Sequence, residues 1–156
     1  MRFEHLLEIN DPNLPFLEAL SRNQVWSGLM HRVEDSRNFL PGLDECVILS
    51  RTEGMVERCL RWGQVEVRDR VSFAVEEWVR FETLPSEHHG GGLLTVRIEE
   101  PEEGRLFLRC IYETVFTLGQ EAEDEGYADY IKQAYESADK DMLLRIRELA
   151  ASVRLN

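Results

Sequence analysis

Cysteine is scarce in this chain, and long apolar runs and clusters of metal-ligating side chains are missing. The three cysteines, Cys46, Cys59 and Cys110, lie far apart. So few, so scattered, exclude a disulfide framework or a zinc site. Each falls in a stretch that reads as a strand, so reduced core thiols are expected. None has a histidine beside it in sequence to activate it as a nucleophile. No stretch approaches the roughly 18 apolar residues of a membrane-spanning helix. Positive charge is in deficit as well: 18 basic against 30 acidic side chains leave a net charge of −12. Nucleic-acid backbones and anionic membranes require basic patches, so neither is expected as a partner, and solubility accounts for the charge.

Other absences narrow the classes further. Met1-Arg2-Phe3-Glu4-His5 brings an acid at once and no apolar run. A secretory signal is therefore not expected, and the cytoplasm is the expected compartment. His88 and His89 adjoin three glycines without acids close by, which makes a poor metal site. Gly90-Gly91-Gly92 lacks the lysine and the following helix of a phosphate loop. No metal or cofactor is expected. Repeats, low-complexity tracts and interdomain linkers are lacking too, so residues 1–156 read as one domain, long enough for a real core.

What is present is alternation. Phe3, His5, Leu7 and Ile9 share one side of a first strand, which Asn10-Asp11-Pro12-Asn13 ends. A helix follows with a full start signal: Ser21 as N-cap, Gln24 completing a capping box, Leu20 and Val25 as a hydrophobic staple. A second short helical turn is expected over 36–40. Between 43 and 116 the period is two, with strands near 43–52, 55–62, 65–75, 78–84, 93–100 and 105–116. Short links between them imply an antiparallel meander. A polar, acidic stretch over 119–125 precedes one long helix from 126 to about 153. Its expected inner face carries Tyr127, Tyr130, Ile131, Ala134, Ala138, Met142, Ile146 and Leu149. The acids at its start suit the helix dipole, which explains them without a metal.

The hairpin at 56–71 is the most informative segment. With Gly63-Gln64 as a two-residue turn, Trp62 faces Val65, Leu60 faces Val67, Arg58 faces Asp69 and Val56 faces Val71. All of these lie on one face, and Glu57, Arg61, Glu66, Arg68, Arg70 and Ser72 lie on the other. An ion pair is thus set into an apolar face. It reads either as a structural pair closing the sheet or as a polar anchor for a ligand carboxylate, hydroxyl or carbonyl, with Asp69 available as a base. A slip of one residue would put both groups in water. A second titratable group converging on Asp69 would favour catalysis.

The last strand stays open. A four-residue turn at 101–104 would point Arg109 and Glu113 inward, whereas an odd-length connection would point Tyr112 inward, on the more apolar face. His5 stands in the apolar register of the first strand, as a core or edge histidine bonded to a neighbour would. A three-residue loop at 76–78 would pair Phe73 with Phe81. Candidate lining residues for a cavity between sheet and helix are Trp62, Phe73, Phe81, Tyr112, Tyr130 and Met142, with Arg58 and Asp69 as the polar spot. The 85–92 loop and the 119–126 linker, polar and glycine-containing, are the expected gate.

The order β, two short helices, six strands and a long helix resembles the helix-grip fold of the START and birch-pollen-allergen (SRPBCC) superfamily. The segments Met1-Arg2-Phe3-Glu4-His5, Phe39-Leu40-Pro41-Gly42-Leu43-Asp44, Val67-Arg68-Asp69-Arg70-Val71 and Leu108-Arg109-Cys110-Ile111-Tyr112-Glu113-Thr114 resemble its AtaL-like group, a domain of unknown function. The resemblance implies an α+β fold, a seven-stranded curved antiparallel sheet wrapped around a long C-terminal helix, with a hydrophobic cavity between them. It supplies no catalytic residues. Relatives bind lipids, hormones and polyketides, and some cyclise or dehydrate them; fold alone does not choose. The expected function is binding of a small hydrophobic or amphipathic, lipid- or polyketide-like molecule. The alternatives are an enzyme acting on such a ligand, cyclase- or dehydratase-like, and a protein-interaction module without cargo. Oligomeric state is not legible.

Overall fold

Alternation, broken only by the exposed Leu6, carries Arg2–Glu8 into the first strand, β1, in the computed structural model, which describes residues 2–87, 90–114 and 125–155. Helix α1, Arg22–Glu34, begins as its start signal dictates. The Ser21 hydroxyl accepts from the Gln24 backbone N–H at 3.1 Å, and the Gln24 side chain accepts from the Ser21 N–H at 2.9 Å. Leu20 and Val25 are both buried beside this cap. A single 3₁₀ turn, Ser36–Asn38, follows. Six strands come next: β2 Glu45–Thr52, β3 Met55–Trp62, β4 Val65–Ala74, β5 Trp78–Thr83, β6 Gly92–Glu102 and β7 Arg105–Thr114. Helix α2, Glu125–Leu155, ends the fold.

The strands form one antiparallel sheet in the order β1-β7-β6-β5-β4-β3-β2. The first strand closes against the last because its apolar side needs the same interior. Irregular register between Ile48 and Ser50 in β2, and between Glu99 and Glu102 in β6, bends the outer parts of the curved sheet. Among the described residues no helix is long and apolar enough to cross a membrane.

The β3–β4 register is the expected one throughout, from Trp62↔Val65 to Val56↔Val71. Gly63 has φ +58° and Gln64 no positive φ, as a turn with glycine first requires. One other register differs from expectation, and another settles a choice the sequence leaves open. Ala74 pairs with Trp78, so the β4–β5 loop is Val75-Glu76-Glu77, and Phe73 faces Val79 while Val71 faces Phe81. The Phe73–Phe81 pairing is therefore corrected; Glu76 takes φ +62°, which lets a three-residue loop close one position earlier. On β6–β7 the tight pairing is Glu102↔Arg105, and the irregularity upstream restores Ile98↔Leu108 and Val96↔Cys110. That resolves the parity of the last strand: Tyr112 points inward, and Arg109 points outward to Glu99 and Glu4.

Inward side chains line up in rows across the strands. Phe73, Val79, Val96, Cys110 and His5 make one row. Val56, Val71, Phe81, Leu94, Tyr112 and Phe3 make the next. Arg58, Asp69, Thr83, Gly92 and Thr114 make a third, polar row toward one end. The opposite end is closed by α1, whose Val25, Trp26, Leu29 and Val33 are buried together with Ile9, Ile98, Leu106 and Leu108.

Candidate functional site

Arg58 and Asp69 face each other from β3 and β4 and are buried, 1% and 4% exposed. The pairing is bidentate: Arg58 Nε donates to Asp69 Oδ1 at 2.9 Å, and Nη2 donates to Oδ2 at 2.6 Å. The remaining Arg58 nitrogen, Nη1, turns to the C-terminal end of α1. It donates to the carbonyls of Arg32 at 3.0 Å and Val33 at 2.9 Å and to the Ser36 hydroxyl at 2.8 Å. These carbonyls belong to the last helical turn and have no partner within the helix. Arg58 therefore ties sheet to helix end as well as pairing Asp69. No other basic side chain bonds Asp69 among the described residues.

The titratable groups converge on Asp139, in the middle of α2. Its carboxylate accepts from the Tyr112 hydroxyl at 2.5 Å, and its second oxygen lies 3.1 Å from His5 Nδ1. Asp139 is 1% exposed. Burial pushes its carboxyl above its ordinary value of 3.8, opposed by the bonds from Tyr112 and His5. Burial, then the nearby carboxylate, push the Tyr112 phenol and the Cys110 thiol upward. Tyr112 therefore stays a proton donor, and Cys110 stays a thiol rather than a nucleophile. Tyr135 stacks on Tyr112 with centroids 3.8 Å apart, and Phe3 meets Tyr135 edge-on at 5.9 Å.

Arg32, on the last turn of α1, stands in the same interior. Its guanidinium carbon lies 4.7 Å from the centre of the Phe81 ring, and that of Arg58 lies 5.5 Å from it. Nη1 of Arg32 donates to Met142 Sδ at 3.0 Å.

Not every expected lining residue meets here. Phe81, Met142 and Tyr112 do, buried around Arg32 and Asp139. Phe73 lies toward the closed end, edge-on to Trp26 at 6.0 Å. Trp62 is half-buried near the β3–β4 turn, where its indole N–H donates to the Pro41 carbonyl. Tyr130 is 68% exposed, which corrects its expected place inside. The inward face of α2 runs instead through Tyr135, Asp139, Met142 and Ile146, at spacings of four, three and four. An acid within this stripe hid it, and Ala134 and Ala138 offered a more apolar face that is exposed. His5 and Tyr112 were legible by alternation; Arg32 and Asp139 were not, because each reads as a solvent-facing charge on a helix.

The polar row marks the open end. A recess of ≈ 670 Å³ at this rim is lined by Thr83, Gly92 and Thr114 of that row, by Pro85, Gly90 and Gly91, and by the outward Arg2, Glu82, Leu93 and Glu113. His88 and His89, and most of the 119–126 linker expected to share in a gate, lie outside the described residues.

The fold is shared with many solved structures. An aromatase/cyclase, Zhui, from Streptomyces sp. R1128 superposes with a TM-score of 0.68 at 15% identity, over 100% of this chain and 96% of its own. The di-domain ARO/CYC StfQ of the steffimycin biosynthetic pathway gives 0.70 at 11% identity, over 99% of this chain and 52% of its own. Ara h 8.0201 gives 0.59 at 10% identity, over 94% and 97%. At these identities the likeness is one of fold, the helix-grip fold. No curated protein matches the sequence. The model of one family, described as acetylaranotin biosynthesis cluster protein L, matches residues 7–152, and the chain belongs to that family.

Proposed function

We propose that the chain binds a small apolar or amphipathic molecule inside the grip, between the β3–β7 side of the sheet and α2. The observation that carries this reading is a gradient of cover. At the end closed by α1, inward side chains such as Val79, Val96 and Leu108 are fully buried. Toward the other end the inward-facing Trp62, Val67 and Thr83 are only half-buried, although Arg58, Leu60 and Asp69 beside them are covered. Helix α2 stands closest to β1 and α1 rather than over β3 to β5. Apolar positions facing inward without full cover are what a ligand would complete. The fold shared with aromatase/cyclases agrees with a ligand of that shape and polarity.

The neutral dye N-phenylnaphthylamine tests this directly. Saturable one-to-one fluorescence enhancement is expected, and Thr83→Trp, which fills the open end, should abolish it while the fold melts normally. A wild-type protein that leaves the dye unbound, or a Thr83→Trp variant that binds it as before, contradicts the reading.

A second reading, chemistry on the bound molecule, draws on Asp139 rather than Asp69. A buried carboxyl held above its ordinary range, with a phenol and an imidazole on its two oxygens, can take and return a proton. Its test is turnover of a β-hydroxy ketone probe: dehydration by wild type and loss in Asp139→Asn with dye binding retained. Equal turnover in both removes it.

A further inference from the structure

Not every interior cation is in contact with a carboxylate. Two guanidinium groups, those of Arg32 and Arg58, face the one Phe81 ring. Asp69 is committed to Arg58 through both oxygens. Both oxygens of Asp139 are taken by Tyr112 and His5. Arg32 makes no ion pair among the described residues, and its only side-chain hydrogen bond there goes to a thioether. Sulfur of this kind is a weak acceptor. Its Nε is buried with no partner at all. The Phe81 face offsets part of the cost of a buried cation, not the unmade hydrogen bonds.

We infer that Arg32 is the site for an anionic oxygen on the bound molecule, so that the cargo is an amphipathic acid: a carboxylate or enolate on an apolar body. The inference rests on the binding reading above and names its ligand class. Nε and the outer nitrogens of a guanidinium form a planar fork that fits two oxygens, or one oxygen between two donors. Arg32 as a residue is only half-buried, although its Nε is closed off from solvent, so an anion would meet the fork from inside the grip. Burial works most strongly against the cation and the neighbouring Arg58 adds to it, only partly offset by Tyr112, Cys110 and Asp139 nearby, and an incoming anion relieves both. The apolar body would lie along Phe81 and Met142, which the guanidinium touches, and Leu94, which pairs with Phe81.

Two dyes with the same rings separate charge from greasiness: anilinonaphthalene sulfonate is anionic, N-phenylnaphthylamine neutral. Arg32→Met keeps length and apolarity. It should weaken the sulfonate dye about tenfold or more and leave the neutral dye within about twofold. Arg32→Lys, with charge but no fork, should recover part of the loss. Equal weakening of both dyes by Arg32→Met, or of neither, overturns the inference. Failure of the neutral dye to bind wild type is a different result; it removes the binding reading itself, and the inference with it. The unmutated protein gives a check independent of variant folding. The Arg32 Nε–H resonance should move on adding dodecanoate and stay put with dodecanol. A resonance that ignores dodecanoate, or follows both equally, overturns the inference.

Discussion

Arg58 is a helix cap as much as half of an ion pair, and this changes what its removal should do. Losing the arginine alone strands a buried Asp69, so Arg58→Met should cost about 3–5 kcal/mol in urea unfolding. For an isolated pair, exchanging both partners for apolar residues is close to neutral. Here Arg58 also serves the carbonyls of Arg32 and Val33 and the Ser36 hydroxyl. Arg58→Met with Asp69→Leu should therefore remain destabilised by about 1–3 kcal/mol, the cost of buried acceptors left unpaired. Wild-type stability in the double variant would show that the cap contributes nothing. Asp139 makes a prediction of opposite pH sense to most carboxylates. Its folded value is raised, so the native state holds the proton more tightly than the unfolded chain. Stability from this group is fully present at pH below its ordinary 3.8 and is lost as pH rises through the higher folded value. The stability difference between wild type and Asp139→Asn, taken at a series of pH values to cancel other groups, should shift in favour of Asn across that window. A flat difference would mean that the carboxyl is not perturbed.

The β3–β4 hairpin was fully legible in the sequence because two signals agreed: a glycine-first turn fixed its register, and alternation fixed its face. The β6–β7 hairpin was not, since an irregularity inside β6 changed the parity that loop length alone would give. The β4–β5 loop depended on a positive φ at Glu76, a residue type that does not announce one. Helix α2 was placed correctly along the chain, and Met142 and Ile146 were placed inward, but Tyr130, Ala134 and Ala138 were expected where Tyr135 and Asp139 stand, because burial of Asp139 is a tertiary fact supplied by Tyr112 and His5. Arg32 was invisible for the same reason. The contact that fixes α2 against α1 is also legible only in three dimensions. A Cβ at Gly28 would stand 2.8 Å from Ile146 Cγ1 and Cγ2. Alanine favours helix over glycine by about 1 kcal/mol, yet overpacking costs about 1–3 kcal/mol. Gly28→Ala should thus be neutral to destabilising in thermal melts, and adding Ile146→Val should recover stability. A plainly stabilised Gly28→Ala would show that the helices can separate at no cost.

The molecule as a whole is a bent sheet closed at one end by α1 and crossed by α2 along β1 and α1. Apolar rows fill the closed end, and the polar row lies at the open end. The interior holds a paired cation in the polar row, a cation with no ion-pair contact among the described residues, and a buried acid with a phenol and an imidazole. This division suits holding a molecule by its apolar body while its polar head meets the charged groups. Superposed chains of 15% identity or less keep the sheet and the helix, so specificity must come from such interior side chains rather than from the fold. Chemical-shift mapping with unlabelled N-phenylnaphthylamine added to isotope-labelled protein tests the binding account most directly. The account predicts saturable shifts at one-to-one stoichiometry, concentrated on Phe81, Leu94, Tyr112 and Met142, with the exposed Phe16 and Tyr130 unmoved. Shifts confined to Phe16, Tyr130 and other outer residues, or none that saturate, would contradict it.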